Sequence, residues 1–466
     1  MHYKVYKFGI PKERKVAHFY KHDGQLPCAF KGCNHTPLKL CLTHHTHHTH
    51  SDDDNNNNHC DEKMDIRQNR FPSVEERVKY YMGHWYSTTN KRLFTNDFYE
   101  TFLQNEEDGD GISSSNSSST DADADADVMD YQKSITGRIL INPYGSSPVK
   151  MYKFYALDWK KHKSRDRNAK NYIRDFIDFS IIYNSIKSTT PVIFHHIDGL
   201  SSANPKKELT RKYPVFGKVR DTLAENNNVN HWRCSSTKGC RQCGLKHSNI
   251  IWPLNRRRHY SAVASVPKND IPFDQKIGMA VWRGRIEKSD LVDADLPIEI
   301  SSWKQRMALV GNHINSTYVN AKFPPDDYVK TSKSLTKQHV GSILHMSDML
   351  KYKYLVAIEG NDVSSGLKWM LFSNSVVFIP QPITWESWAM ESLLQPFVHY
   401  IPMHANMSNI EEMIMWCEDN PKKVQHISKR STLFIYDLLF HPDSYMDEEQ
   451  ILVDIVKKYD HNFGSK

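Results

Sequence analysis

The sequence lacks any long apolar run. A helix that spans a bilayer needs about 20 consecutive, mostly apolar residues, and the 466-residue chain contains no such stretch. The first residues, MHYKVYKFGIPKERKV, also lack the apolar segment of a secretory signal peptide. On these patterns alone, we expect a soluble chain with no membrane span and no targeting signal.

Cysteine is sparse, with eight residues, and this usage does not indicate a redox compartment. Cys234, Cys240 and Cys243 lie together in the segment CSSTKGCRQCG, between His231 and His247. Their spacing is irregular for a structural zinc site. Zinc binding, a disulfide in an oxidising compartment and free thiols therefore all remain open.

Positive charge exceeds negative charge only slightly, with a formal net charge of +7 from 61 basic and 54 acidic residues. Nucleic acid, an anionic substrate and a solvated surface are all compatible with this value. The basic cluster at residues 160–163, KKHK, has no interleaved aromatic residues. A solvated surface is therefore the simpler interpretation of that cluster.

Two segments lack the apolar residues needed for a core: 44–60, HHTHHTHSDDDNNNNHC, and 105–127, NEEDGDGISSSNSSSTDADADAD. We interpret both as disordered insertions. The Asp-Ala repeat and the triplet Asp293-Ala294-Asp295 spell Asp-x-Asp, a motif that holds a divalent metal in many sugar-nucleotide transferases. A metal site needs ligands fixed on a folded scaffold, so we expect no metal at either place.

The remaining sequence alternates helical patterns with short apolar runs. Ser73 and Glu76 have the spacing of a capping box, which begins a helix. The folded region is therefore expected to begin near residue 70. The apolar runs are PVIFHHIDG, YPVFGKV, GMAVWRG, STYVNAKF, YKYLVAIEG and SVVFIP, with helical patterns at 408–439 and 447–459. This alternation predicts an α/β fold. Together with the length, it predicts an irregular extension at 1–69, two α/β domains at 70–250 and 251–440, and a final helix in 441–466.

One stretch, YLVAIEGNDVSSGLKWMLFSNSVVFI at 354–379, predicts a strand at 354–358, a polar turn, a helix at 366–373 and a strand at 375–379. Ligands collect at the carboxyl ends of parallel strands, and helix N-termini suit anions. Gly360 permits close backbone approach, Ser364 and Ser365 offer hydroxyls, Lys368 adds charge, and Glu359 is suited to ribose hydroxyls. The pattern matches neither a dinucleotide fingerprint nor a Walker loop, so an ordinary connection remains open.

Basic residues also follow a second predicted strand. Trp282-Arg283-Gly284-Arg285 places two guanidinium groups after GMAV, and planar guanidinium groups suit phosphate oxygens. IIWPLNRRRHY, which contains Arg256-Arg257-Arg258, is predicted to form a third basic loop. A surface turn with incidental charges remains open. These loops lie in the same half of the chain as Gly360 and favour a ligand that bears a diphosphate.

Asp198 ends the apolar run PVIFHHIDG at an Asp-Gly pair. A general base needs a carboxylate or imidazole held about 3 Å from the hydroxyl that it deprotonates, and a strand end is a suitable place for one. Asp-Gly is also a common turn signal. From the residues alone, both interpretations of Asp198 stand.

Taken in order, PVIFHHIDG, YPVFGKVRD, IIWPLNRRRHY, MAVWRGRI, KYKYLVAIEGNDVSSGLKWMLFSNSVVFI and LLQPFVHYIPM resemble glycosyltransferase family 90 over residues 135–440. This family includes protein O-glucosyltransferases, fungal capsule-associated (CAP10-like) enzymes and bacterial lipopolysaccharide glycosyltransferases. The resemblance implies a GT-B-like fold of two facing Rossmann-like domains, here with disordered low-complexity insertions. It also implies an inverting, metal-independent transfer from a UDP-sugar to a glycan, lipid-linked glycan or protein hydroxyl, with Asp198 as base.

The resemblance also supplies donor-site candidates. It matches the turn Asn361, Asp362, Val363, Ser364 and Ser365 to the loop that wraps the donor. Asn255 falls at an aromatic donor contact of the family, Arg285 at a serine, and Arg306 at a downstream arginine across an insertion. The full set of expected donor contacts is Asn255, Arg283, Arg285, Arg306, Glu359, Gly360, Asn361, Asp362, Val363, Ser364, Ser365, Lys368 and Glu391.

Two departures qualify the resemblance. Gly366 stands where the O-glucosyltransferases have an arginine, while Lys368 is kept, which is closer to the lipopolysaccharide or algal-type branch. Glu386 and Glu391 lie in a helical pattern, WESWAMESLL, and are hypothesised to hold ribose or sugar hydroxyls; a surface helix is the alternative. A catalytically silent sugar- or nucleotide-binding protein therefore remains open.

The two lines of argument on localisation differ. The resemblance favours the secretory pathway, and the absence of a visible signal favours the cytoplasm.

Overall fold

The structure is a computed structural model that describes residues 71–93, 139–141, 179, 182–183, 185–188, 190, 192–195, 213–222, 249–253, 256–285, 297–325, 335–360, 362–441 and 443–464. The predicted extension at 1–69, the low-complexity insertions and the cysteine cluster at 234–243 lie outside these residues. Among the described helices, none is both long and apolar enough to cross a bilayer.

Short strands and helices of varied length alternate along the chain, as the sequence predicts. The strands are β1 Ile139–Ile141, β2 Val192–His195, β3 Val215–Gly217, β4 Val219–Asp221, β5 Ile250–Ile251, β6 Ile277–Arg283, β7 Val319–Lys322, β8 Tyr352–Val356, β9 Val376–Pro380, β10 Trp385–Ser387 and β11 Ile401–Met403. The α-helices are α1 Val74–Met82, α2 Arg256–Asn269, α3 Ser302–Asn312, α4 Met346–Met349, α5 Leu367–Leu371, α6 Ile410–Asp419, α7 Pro421–Leu439 and α8 Ser444–Phe463.

The C-terminal half is built on a five-stranded sheet in the order β11-β9-β8-β6-β7. All of its neighbouring strands are parallel. Leu355 and Val377 pack into one hydrophobic cluster with α2 and α5, whereas Tyr354 and Val356 pack into another with α3 and α6. Because both faces are covered, β9 is a continuous, fully buried apolar run, as is typical of strands in buried parallel sheets. The predicted α/β class is confirmed.

The N-terminal half contains a smaller sheet in the order β1-β2-β3-β5. Strands β2, β3 and β5 are parallel, and β1 pairs antiparallel with β2. The capping box predicted at Ser73 and Glu76 begins α1 and is confirmed. The final helix α8 packs against α1, and its Tyr459 ring lies 5.0 Å from that of Phe216 in β3. The C-terminal helix therefore contributes to the core beneath the N-terminal sheet.

The two halves also share a small antiparallel pairing. Strand β4, directly after β3, pairs with β10, so that Glu386 lies opposite Arg220 and Ser387 lies opposite Val219. One cluster of buried apolar residues runs through both halves, and it includes Phe216 as well as Leu355. The domain boundary proposed at residue 250 stays a prediction.

Two local predictions were wrong. Glu386 and Glu391 do not lie on a helix: Glu386 is in β10, and Glu391 begins a short 3-10 turn. The pairing of β10 with β4 fixes an extended backbone at Glu386, and Met390 adopts a left-handed conformation, with φ 53°, that an α-helix excludes. Arg256 opens α2 rather than a loop, because Val263 and Val266 bury one face of that helix at helical spacing.

A buried polar network joins elements at the amino edge of the C-terminal sheet. Lys276, just before β6, donates to the carboxylate of Asp270 and to the carbonyl of Leu350. The other oxygen of Asp270 accepts the backbone N–H of Asn374, just before β9, at 2.6 Å. Burial lowers the pKa of the Lys276 ammonium and raises the pKa of the Asp270 carboxyl, although the opposite charges counteract both shifts. This pair ties α2, β6 and β9 together.

Replacing Lys276 with methionine leaves the Asp270 carboxylate buried without its cation. Removal of one member of a buried ion pair typically costs about 3–5 kcal/mol, so we expect Lys276→Met to unfold at clearly lower urea concentration. Lys351→Met is the matched control, since it cuts an exposed pair with Asp348 and should leave the midpoint nearly unchanged. Equal urea midpoints for the two variants would contradict the structural role of Lys276.

Candidate functional site

The polar turn, residues 359–365, follows the central strand β8 and lies at the carboxyl edge of the five-stranded sheet. It connects β8 to α5, which leads into β9. The turn is closed by hydrogen bonds from the N–H of Gly360 to the carbonyl of Asp362 at 2.8 Å and from the N–H of Leu367 to the carbonyl of Ser364 at 3.2 Å. The predicted strand-turn-helix-strand unit is confirmed, although α5 has only five residues. Val363 is buried, Ser364 half-buried and Ser365 exposed.

Glu359 fixes the start of this turn. Its carboxylate accepts the backbone N–H of Thr384 at 3.0 Å and of Trp385 at 2.9 Å, and also the Thr384 hydroxyl. These donors belong to the segment that enters β10. Glu359 therefore joins the end of β8 to that segment, and its predicted contact with ribose stays a prediction.

Arg306 joins the ends of two strands from its place on α3. One guanidinium nitrogen donates to the carbonyl of Arg285 at 2.6 Å, and another donates to the carbonyl of Glu359 at 3.0 Å. A side chain at Gly360 would place its Cβ 3.2 Å from the second nitrogen. A side chain at position 360 would therefore crowd the Arg306 guanidinium.

Arg283 and Arg285 have different environments, although the sequence presents them as one basic turn. The Arg283 guanidinium donates to the carbonyls of Trp282, Asn320 and Ser342 and to the side-chain oxygen of Asn320, at 2.8–3.0 Å. Burial lowers the pKa of Arg283, yet a guanidinium stays charged in proteins. Arg283 therefore holds β6 to β7 and to the segment at residue 342, whereas Arg285 is exposed at the sheet edge.

Gly284 separates these two arginines for a steric reason. A Cβ at position 284 would lie 2.3 Å from the indole ring of Trp282. The Trp282 ring packs against Phe323 in the second cluster, with ring centroids 5.5 Å apart. The glycine therefore lets the chain turn over a buried tryptophan and place Arg285 at the edge.

Lys368 lies inside the protein beneath the turn. Its ammonium is fully buried and lies 2.7 Å from a carboxylate oxygen of Glu391. The Glu391 carboxylate also accepts the N–H of Ser387 at 2.6 Å and the hydroxyl of Ser387 at 2.7 Å. Both side chains were predicted to contact the ligand, but the structure pairs them with each other. Their ion pair supports α5 and the end of β10 from below.

A second buried ion pair crosses from the N-terminal half into the turn. Lys218 lies between β3 and β4, and its ammonium is 2.8 Å from the carboxylate of Asp362. The side chains are only 10% and 8% exposed. Sequence analysis did not single out Lys218, although a cation directly after a buried strand was a visible signal.

A third buried pair lies two residues further along, where Arg220 is 2.5 Å from Glu386. Arg220 also donates to the carbonyls of Tyr80 and Tyr81 in α1, and Glu386 accepts the hydroxyls of Tyr80 and Ser392. Burial and the Glu386 charge raise the pKa of the Tyr80 hydroxyl well above its ordinary value. Glu386 thus belongs to a structural network, not to an exposed helix.

Three predicted site residues lie outside the described residues: Asp198, Asn255 and Asn361. Asp198 follows the last residue of β2, His195, by three positions, and Lys218 follows the last residue of β3, Gly217, by one. In the parallel register His195 lies opposite Gly217. The carboxyl ends of β2 and β3 therefore share one sheet edge, and Lys218 joins that edge to the polar turn.

The described residues bring together an exposed guanidinium, two serine side chains and a backbone turn that is fixed by neutralised carboxylates. Such a surface suits a polar ligand that carries negative charge. The fully buried Lys368 supports this surface from below, and the half-buried Arg283 holds the neighbouring strands β6 and β7 together. Of the predicted donor contacts Arg283, Arg285, Arg306 and Lys368, the structure leaves Arg285 exposed at the edge.

If Lys368 supports the turn from below, Lys368→Met should lower the free energy of unfolding by about 3–5 kcal/mol, because Glu391 loses its buried cation. Chemical denaturation of the full chain measures this change. The matched control is Lys337→Met at an exposed lysine, which should unfold like the unmodified protein. Unchanged stability of Lys368→Met would favour the original prediction that Lys368 contacts a ligand.

Comparison with known proteins finds relatives for the segment that contains this site. Residues 253–448 match the sequence model of glycosyl transferase family 90. The O-glucosyltransferase LpsA of Dichelobacter nodosus is 34% identical over 100 residues, which cover 22% of this chain and 31% of the relative. Protein O-glucosyltransferase 2 of Danio rerio is 30% identical over 159 residues (34% and 28% covered), and protein O-glucosyltransferase 1 of Mus musculus is 28% identical over 150 residues (32% and 37% covered).

The matched region is thus only part of each protein, and the chain spans about a third of the length of these relatives. The polar turn, Arg285, Arg306 and the Lys368–Glu391 pair all fall within the segment that matches the family. Residues 253–448 of this chain are therefore similar to glycosyl transferase family 90.

Proposed function

We propose that the protein is a glycosyltransferase that moves a sugar from a UDP-sugar to an acceptor hydroxyl. The observation that carries this proposal is the polar turn after β8, which lies at the carboxyl edge of a family 90 sheet and is joined by Lys218 to the end of β3. The names of the relatives, O-glucosyltransferases, support the class of reaction. In this proposal the two halves face each other as in the GT-B fold.

The reaction is a direct displacement at the anomeric carbon. Asp198, three residues after β2, accepts the proton of the acceptor hydroxyl as its oxygen bonds to that carbon. The bond from the anomeric carbon to the diphosphate oxygen breaks, and UDP leaves with the electron pair. One displacement inverts the anomeric configuration. The acceptor is a glycan, a lipid-linked glycan or a protein hydroxyl.

Negative charge grows on the diphosphate as the bond breaks, so fixed donors there lower the barrier more than contacts to the resting sugar do. We assign this role to Arg285 and to Ser364, Ser365 and the backbone of the turn. Arg306 and Glu359 hold the turn in place through the contacts described above. Metal independence is part of the proposal and is carried over from the family resemblance.

The experiment that tests the proposal measures nucleotide release from UDP-glucose, UDP-xylose, UDP-galactose and GDP-mannose. We expect the unmodified chain to release UDP from one donor, and Asp198→Asn to lose at least about 100-fold in rate, which is the usual contribution of a general base. Donor affinity, measured by calorimetry, should remain largely unchanged in the variant. Asp274→Asn, at an exposed carboxylate before β6, is the matched control and should release UDP at the unmodified rate.

Three outcomes separate the possibilities. Equal release by Asp198→Asn and the unmodified chain would remove Asp198 from the mechanism. UDP binding without release by either would favour a sugar-nucleotide-binding protein without turnover, or a strict need for acceptor. Absence of binding to every donor would overturn the assignment of the polar turn.

Arg285 provides a second test, because it is exposed while Arg283 is bonded to backbone carbonyls. We expect Arg285→Gln to weaken UDP binding by about tenfold, the size of one hydrogen bond to a charged group, with no change in thermal unfolding. Arg283→Gln should lower the unfolding temperature instead. Calorimetry and a thermal scan on both variants check this contrast, and the reverse pattern would contradict it.

A further inference from the structure

The polar turn contains a buried carboxylate at the position where the proposed function places a diphosphate. Asp362 is only 6% exposed, and it lies two residues before Ser364. A carboxylate near a phosphate group raises the energy of both anions, and the effect is strong where water is excluded. An anion site built on this turn therefore needs a means to cancel the charge of Asp362.

Lys218 supplies that cancellation from the other half of the chain. Its ammonium lies 2.8 Å from the Asp362 carboxylate, and both side chains are about nine-tenths buried. Lys218 is fixed between β3 and β4, and β4 is in turn paired with β10. Glu359, the other acid of the turn, accepts the N–H groups of Thr384 and Trp385, and Arg306 donates to its carbonyl.

We propose that Lys218 is a positioning residue for the donor: by neutralising Asp362 it makes the polar turn able to accept a nucleoside diphosphate. This inference rests on the proposed function. It differs from a direct phosphate contact, because the cation acts on the protein carboxylate and need not touch the ligand. It also means that donor affinity, although located on the C-terminal half, depends on a side chain of the N-terminal half.

The two roles predict opposite results in a double-mutant cycle. If Lys218 neutralises Asp362, Lys218→Met takes this cation away from the Asp362 carboxylate. The carboxylate then repels UDP, and the added Asp362→Asn change removes that repulsion. We expect the single variant to bind UDP at least about tenfold more weakly, and the double variant to recover most of the loss. If Lys218 touches phosphate directly, the double variant stays as weak as the single one.

Uridine separates charge from shape, because it has the same base and ribose without phosphate. Isothermal calorimetry on the full chain, at low salt and pH 7, should show that Lys218→Met loses affinity for UDP but not for uridine. Equal losses for both ligands would mean that the site is deformed, and would overturn the inference. The matched control is Lys353→Met, which cuts an ion pair with Glu418 near the amino end of β8 and should leave UDP affinity unchanged.

Asp362→Asn alone keeps the test decisive if Lys218→Met fails to fold. That variant removes the negative charge and keeps the cation, so UDP should bind more tightly. Unchanged or weaker binding would overturn the inference. If the unmodified chain binds neither UDP nor another nucleoside diphosphate, the proposed function fails and the inference falls with it. If it binds UDP and Lys218→Met binds equally well, only the inference falls.

Discussion

The structure around the site depends on one strand of three residues. Strand β4 carries Arg220 directly opposite Glu386 in β10, and Lys218 precedes it in contact with Asp362. Each ion pair joins a cation of the N-terminal half to a carboxylate of the C-terminal half, in surroundings with little water. Burying such charges costs free energy, and the attraction repays it only when the geometry is good. We infer that these pairs act mainly to fix the register between the halves, because any slip of β4 against β10 would leave four buried charges unpaired.

The local elements of this fold were predictable, and the reason is that their signals are local. The capping box at Ser73 and Glu76 and the unit from Tyr354 to Ile379 depend on residues a few positions apart. The hydrogen-bond partners of the basic side chains were not predictable in this way. Arg283 finds its acceptors at Asn320 and Ser342, far along the chain. No pattern within a window of ten residues contains these partners, so the sequence showed where cations stand but not what they bind.

The structure around the acidic residues was also not predictable from local sequence, because it depends on distant partners. WESWAMESLL has a helical distribution of apolar residues, yet Glu386 lies in a strand because β4 offers it a backbone partner and a guanidinium. Tertiary pairing overrode a weak local preference. Lys218 and Tyr80 were missed for the same reason, since their importance comes from contacts with Asp362 and Glu386 in the other half of the chain.

Within the residues that the structure describes, these contacts explain why several cations near the polar turn bind protein groups and not a ligand. Arg283 and Lys368 are bonded within the protein, Lys218 is held by Asp362, and Arg306 spans two backbone carbonyls. A turn held by buried cations is fixed before any ligand arrives, so its backbone and hydroxyl donors need little reorganisation as charge develops. Among the described residues, Arg285 is exposed at the edge and is placed to meet an anion directly. In this arrangement the cations that are bonded inside the protein set the shape of the site, while Arg285 supplies charge to the ligand.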